Sequence, residues 1–429
     1  MSKTTENNRR VVITGIGPIC SIGIGKDEFW NNILSQKFIV ERIPEKYQSF
    51  HKYKTSFYIP FPEINLDDYS YLRKYSSIME ATSVLALVGT ELALIDSGIK
   101  KDADTKLTPE IIENTGIILG NGIGSLNMGF SFYVFHTYNK LLKDTTPDFL
   151  KPKFNRMVIP ATMPDSATAW ISILYKMNSF NYTINASCAS GTYAIGEAFR
   201  KIKDGYSDIM ITGGVECLKD KSGAIMRGFD SLGTLTKSED GKPMPFSYDR
   251  SGFLFAEGGG CILILEELEK AQSRGAKIYA EIEDYQSNSD AHNIVQVQES
   301  GEQIAKLLKS IIGNHKIDYL NTHGTGTELN DKVEQKVIRE TFGNKENQPI
   351  INSTKSILGH TIGASGAFEV AVTALSIKES KIHANLSNNN FDDLNIATDN
   401  INMKIDYALK TSYGFGGHNA AILLKKYIK

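Results

Sequence analysis

The chain has little of what several protein classes depend on. No apolar run among its 429 residues approaches the roughly 20 needed to cross a bilayer. Residues 1–10 are polar and lack the apolar stretch of a secretory signal. There are four cysteines, Cys20, Cys188, Cys217 and Cys261, far apart and with no CxxC pair. That pattern fits free thiols in a reducing cytoplasm better than a disulfide framework or a zinc site. A net charge of −2 provides no broad basic field, which argues against nucleic acid as the main partner. No low-complexity linker divides the chain, and histidine is scarce at eight.

What is present describes a globular enzyme. Hydrophobic residues make up 41% and charged residues 22%, and 36 glycines imply many tight turns. At this length the chain exceeds the size at which one compact core keeps growing, so two lobes or one large layered unit are expected. Arg9-Arg10-Val11-Val12-Ile13-Thr14-Gly15 reads as a β-branched strand closed by a glycine turn. Residues 116–124, 208–214 and 318–323 repeat that grammar, and 76–97 and 189–203 between them carry apolar residues at helical spacing. Alternation of this kind predicts an α/β layered fold with buried, largely parallel strands. Cys188-Ala189-Ser190-Gly191 and Gly363-Ala364-Ser365-Gly366 each open a predicted helix, a three-residue echo of the kind a duplication leaves and chance also produces.

Cys188 falls between an extended run (182–184) and a helix. A strand–turn–helix junction exposes a side chain and points backbone N–H groups at it. The helix start is then expected to lower the thiol pKa from about 8.5. Small cysteines are common in cores, but the junction and its flanking small residues favour a nucleophile here. His323 lies in Asn321-Thr322-His323-Gly324-Thr325-Gly326-Thr327 and His360 in Leu358-Gly359-His360-Thr361-Ile362-Gly363, each after a predicted strand. One loop histidine is usually a satisfied surface group. Two beside one reactive cysteine point to catalysis. The trio lacks metal-ligand spacing, so no metal is expected. Lys355 and Glu369 flank His360 as candidate charge partners, with solvated surface charges as the alternative; Asp331 and Glu334 either brace the His323 loop or serve as charges at a helix start. Gly414-Phe415-Gly416-Gly417 permits close backbone approach and loop motion, or simply turns between two closing strands.

Together these segments resemble the β-ketoacyl-acyl-carrier-protein synthases, the condensing branch of the thiolase superfamily, from residue 9 to about 426. The resemblance implies a five-layered αβαβα thiolase fold made of two duplicated halves, 1–275 carrying the nucleophilic cysteine and 276–429 carrying the two histidines. By matching position it makes Cys188 the acyl-accepting nucleophile and His323 and His360 the pair that promotes malonyl decarboxylation. Lys355 becomes their electrostatic support, with Glu369 the buried acid near it. The N–H groups of Cys188 and Phe415 form the oxyanion hole, Phe415 gates the acyl pocket, and Thr325 and Thr327 hold pantetheine. No bound cofactor is implied, since substrates ride on the phosphopantetheine of acyl carrier protein. The implied assembly is a homodimer or a heterodimer with a homologous chain-length factor.

Several positions bear on pathway. Met163-Pro164, Ala169-Trp170, Ala256-Glu257-Gly258 and Asn330-Asp331 look more like ketosynthase subunits of bacterial type II polyketide systems than fatty-acid elongating members. At 289–293 the usual Tyr-His is replaced by His292-Asn293. Polyketide synthesis, aromatic or polyene, is therefore expected, with fatty-acid elongation as the alternative. A non-catalytic chain-length factor is disfavoured by the presence of Cys188, His323, His360 and Lys355. A degradative thiolase is disfavoured because no cysteine follows Cys261. Arg73-Lys74 matches a basic spot that meets acidic carrier proteins in relatives, with an ordinary solvated charge pair as the alternative.

Overall fold

The computed structural model describes residues 9–48, 51–124, 126, 129 and 157–428. Among these residues ten strands form the path of the large sheet. The first five are β1 (Val11–Cys20), β2 (Thr115–Gly120), β3 (Asn181–Ile184), β4 (Ile209–Cys217) and β5 (Gly258–Glu267). The others are β6 (Ala280–Ser289), β7 (Tyr319–Asn321), β8 (Ile350–Asn352), β9 (Tyr407–Gly414) and β10 (His418–Lys425).

Read outward from the centre, one side runs β1-β5-β4-β2-β3 and the other β6-β10-β9-β7-β8. Numbered within each half, both orders are 1-5-4-2-3. The sense of pairing repeats as well: the two inner contacts of each half are antiparallel and the two outer ones parallel. The sheet is therefore mixed, not largely parallel as the strand–helix alternation predicted. Each half brings its fifth strand back beside its first, and alternation along the chain does not encode that return. The halves join where Val11, Val12 and Ile13 of β1 pair with Ile282, Glu281 and Ala280 of β6.

Layering follows from the two-residue period of a strand. Ile118 faces inward with Ala194 and Ala198, whereas Ile117 and Leu119 face outward with Leu85 and Ile171. In the second half Ala420, Ile422 and Leu424 face inward, and Ala421 and Leu423 pack outward on Leu307 and Val337. Helices α1 (Ala81–Asp96) and α2 (Ser166–Tyr175) cover one outer face. The helices α4 (Glu302–Ile312) and α5 (Glu328–Phe342) cover the other, with α3 (Ser190–Lys203) and α6 (Ser365–Glu379) in the middle. The result is the αβαβα arrangement of two duplicated halves. Both faces of each half-sheet are buried, which is why its strands read as apolar runs.

At the centre, α3 and α6 begin almost in contact. A Cβ on Gly191 would stand 3.0 Å from the Gly363 carbonyl, and one on Gly366 would stand 2.2 Å from Thr192 Oγ1. The small residues of the sequence echo are what let the two helix starts meet. No helix among the described residues is long and apolar enough to cross a membrane.

Candidate active site

Both helix starts share one backbone device. After β3, Ser187 takes φ 53°, a short 3-10 turn (Ser187–Ala189) carries Cys188, and α3 follows. After β8, the helix Lys355–Leu358 leads to His360. Ile362 then takes φ 49° before the turn Ile362–Ala364 and α6. A left-handed φ is unfavourable for a non-glycine residue, most of all for β-branched Ile. The first turn is held by the Ser190 hydroxyl, which donates to the Ser187 carbonyl at 2.6 Å and accepts from Ala186 N–H at 2.9 Å. Cys188 and Gly363 therefore occupy equivalent places in the two halves.

Cys188, His323 and His360 line one cavity of about 230 Å³, together with Phe229, Phe253, Thr325, Thr327, Asn330 and Phe415. The two imidazole rings stand 5.6 Å apart, nearly perpendicular. His360 Nδ1 accepts from Ile362 N–H at 3.2 Å and lies 2.9 Å from Ser365 Oγ. His323 Nδ1 lies 3.3 Å from Lys355 Nζ, which also donates to the His323 carbonyl at 2.7 Å. An N–H or ammonium only donates, so each Nδ1 is an acceptor and each neutral ring carries its proton on Nε2. Burial first, and then the positive charge of Lys355, holds both histidines well below their ordinary pKa. The cavity is thus lined by two neutral rings whose Nε2 atoms are donors.

The thiol departs from its sequence-based expectation. Burial pushes Cys188 up to about 12, although Lys355 and the N–H groups of Phe415 and of Cys188 itself act in the opposite direction. A strand–helix junction can be read from sequence, but not that 5% of the residue remains exposed. Phe415 belongs to the three-residue connection between β9 and β10, where Gly414 pairs with His418. Gly414 admits no side chain, because a Cβ there would come 2.7 Å from the Ala186 carbonyl. The connection is tied to the 289–294 loop through Gly416 N–H to the Ile294 carbonyl (2.8 Å) and Asp290 N–H to the Gly417 carbonyl (2.9 Å). In that loop His292 is exposed, and Asn293 Oδ1 accepts from Val295 and Gln296 N–H groups.

Lys355 and Glu369 form a fully buried ion pair, not two solvated charges. Glu334 accepts from the N–H groups of His323 (3.0 Å) and Gly324 (2.7 Å), and Asp331 accepts from those of Phe246 (2.8 Å) and Gly326 (3.2 Å). Both carboxylates thereby fix the backbone of the His323 loop, and Asn330 Nδ2 bridges them at 3.1 and 2.8 Å. Burial raises the pKa of each, that of Glu334 to about 7. Thr325 and Thr327 hydroxyls lie 2.9 Å apart on the cavity wall. Arg73 is exposed and pairs with Asp67, with Lys74 beside it.

Two further buried charges adjoin this site, with no motif to mark them in the sequence. Glu216, at the end of β4, accepts from N–H groups of Gly122 (2.8 Å), Ile123 (3.2 Å) and Gly363 (2.9 Å), and burial lifts it to about 7. It therefore ties the 121–124 turn, which Asn185 anchors to the Cys188 segment, to the turn beside His360. Lys410, in β9, shares Glu369 with Lys355. A single charge in an otherwise uncharged strand is the signal each gives.

A buried cysteine at a helix start, two neutral histidines and a hydroxyl-lined cavity in a thiolase-type fold define a condensing enzyme. The chain belongs to the beta-ketoacyl synthase family: the N-terminal domain of that family matches residues 8–271 and its C-terminal domain residues 279–389. It is 33% identical to 3-oxoacyl-[acyl-carrier-protein] synthase 2 of Staphylococcus aureus (strain COL), over 98% of this chain and 99% of that protein. It is 32% identical to the same-named protein of Rhizobium meliloti (strain 1021), with equal coverage. Among solved structures it resembles a type II PKS ketosynthase in complex with its acyl-carrier protein (AntDE:AntF), with a TM-score of 0.81 and 27% identity, covering 98% of this chain and 100% of that one. A beta-ketoacyl synthase from Burkholderia phymatum STM815 gives 0.82 and 27%, with the same coverage. The protein is an acyltransferase that condenses carrier-protein-bound acyl groups.

Proposed function

We propose that the chain is the ketosynthase subunit of a type II polyketide system, with Cys188 as nucleophile and His323 and His360 as the decarboxylation pair. In the first half-reaction the thiol attacks the thioester of an acyl carrier protein. A Cys188–acyl bond forms, the pantetheine sulfur leaves, and the thiol proton ends on that sulfur. The N–H groups of Cys188 and Phe415 support the oxyanion of this step. In the second, malonyl-carrier protein loses carbon dioxide. The resulting enolate attacks the Cys188 thioester, and the sulfur leaves and takes up a proton. The observation carrying this reading is the pair of neutral, Nε2-protonated rings in the Cys188 cavity, since such donors stabilise an enolate oxygen without protonating its carbon. Burial, reinforced by the charge of Lys355, keeps both rings neutral, and Thr325 and Thr327 hold the pantetheine arm.

For the pathway, the support is Met163-Pro164, Ala169-Trp170 and Asn330, together with the likeness to the polyketide complex. Fatty-acid elongation is the second reading, favoured by the curated relatives at 33%. An oligomer is supported by β3, which is an edge strand among the described residues, and by exposed Ile159, Met163 and Ile173. The halves of the fold correspond in this reading to 1–275 and 276–429.

Intact mass after exposure to acyl- and malonyl-carrier proteins, alone and with a candidate partner subunit, tests the reading. An acyl adduct is expected on the natural protein and not on Cys188→Ala; an adduct that persists in the variant refutes the nucleophile. Decarboxylation unchanged in His323→Ala and His360→Ala refutes the histidine roles. Without a ketoreductase, repeated extension of an unreduced chain supports the aromatic polyketide reading; with a ketoreductase and dehydratase but no enoyl reductase, repeated extension supports the polyene reading and arrest supports fatty-acid elongation.

A further inference from the structure

The reaction just described makes no use of Lys410. Its side chain is fully buried, with Nζ 2.6 Å from Glu369 Oε2 and donating to Ser412 Oγ at 2.6 Å and to the Thr411 carbonyl. The other oxygen of Glu369 holds Lys355. One carboxylate is thus divided between two ammonium groups beside two histidines. Burying a second cation costs desolvation that an already paired carboxylate returns only in part.

We infer that Lys410 is a positioning residue of the decarboxylation site: by holding one oxygen of Glu369, it leaves the charge of Lys355 directed at His323 and at the negative oxygen forming in the cavity. The inference rests on the histidine roles proposed above. Titratable groups face Lys410 from several elements: Glu369 on α6, Lys355 on its short helix, Glu334 on α5, and the two rings, whose protonation its charge opposes. The strands on either side, β7 and β10, set Asn321 and Ile422 opposite it, and α3 reaches it through Thr192 and Ser412, whose hydroxyls lie 2.8 Å apart. A continuous polar path therefore runs from the helix behind Cys188 through Ser412, Lys410, Glu369 and Lys355 to His323. Burial brings Lys410 from 10.5 down to about 8, inside the range of an enzyme assay.

The test follows malonyl-carrier decarboxylation from about pH 5 to about pH 9.5. In Lys410→Met, the acid limb set by the histidines is expected to move up by about one pH unit, with a roughly tenfold loss at neutral pH. Acylation of Cys188 should persist in that variant. In Lys410→Arg the cation is permanent, so the acid limb should keep its natural position and the decline above about pH 8 should vanish. A Lys410→Met protein that melts normally and shows no shift of the acid limb overturns the inference. So does a Lys410→Arg protein that keeps the alkaline decline, and that variant decides alone if the methionine protein does not fold. Decarboxylation insensitive to His323→Ala in the same assay would refute the histidine site itself, a separate result.

Discussion

At the scale of single residues, burial favours the uncharged form of both the thiol and the imidazoles. Cys188 is pushed up to about 12. Its alkylation by iodoacetamide should accelerate about tenfold per pH unit through neutrality, with no plateau below about pH 10. Labelling followed by mass against pH checks this, and a plateau near neutrality would mean that the amides and Lys355 outweigh burial. His360 has two groups on Nδ1, so Ser365→Ala removes one and leaves the Ile362 N–H. The expected cost is about 1 kcal/mol, or roughly fivefold in decarboxylation, with Cys188 acylation preserved. Cys188, His323, His360 and Lys355 were legible because each sits in a local glycine- or serine-marked motif. Glu216 and Lys410 were not, since what distinguishes them is burial by segments far away in sequence.

Among the elements, the contact between α3 and α6 allows almost no added volume. Gly366→Ala would place a methyl 2.2 Å from Thr192 Oγ1 and 2.9 Å from its backbone nitrogen. It should lower stability by about 1–3 kcal/mol, read as a drop in melting temperature. Among the described residues, a Cβ on Gly228, within the helix Ala224–Ser231, would meet nothing within 4 Å. Gly228→Ala should instead stabilise by about 0.5–1 kcal/mol, and opposite shifts of the two melts would separate close packing from plain helix propensity. Helix and strand positions were broadly legible from periodicity. The stretch 76–97 narrows to Ala81–Asp96 because the Glu80 side chain caps the helix by accepting from Thr82 N–H at 3.0 Å. Strand direction was not legible, since the return of β5 beside β1 and of β10 beside β6 is a tertiary choice.

Over the whole molecule, buried titratable groups oppose one another. His323 and His360 are held well below 6.5 and His383 at about 4, so acid favours the unfolded chain, which takes up their protons below about pH 6.5. Glu216 and Glu334, lifted from 4.5 to about 7, bind protons first in the folded state, so between pH 7 and 4.5 they stabilise it as pH falls. Below about pH 4.5 that compensation ends, and stability should fall by about 3 kcal/mol per pH unit through the two rings, His323 and His360, that stay neutral. Melting temperature against pH should therefore change gently down to about 4.5 and then collapse; a steady decline starting at 6.5 would contradict this balance. The duplicated layered fold was legible through the resemblance, but the identical strand order of the halves emerged only in three dimensions.

The seam between the halves has a further consequence. Glu281 of β6 pairs with Val12 on one side and Lys425 on the other, and its carboxylate holds both Arg10 (2.5 Å) and Lys425 (3.3 Å). The first and last strands thus flank one strand, about 10 Å apart. A circularly permuted chain, with β10 joined to β1 by a short linker and opened at 274–278, would keep every strand pairing. It should fold and still take an acyl group on Cys188, with the order of the two halves reversed along the chain.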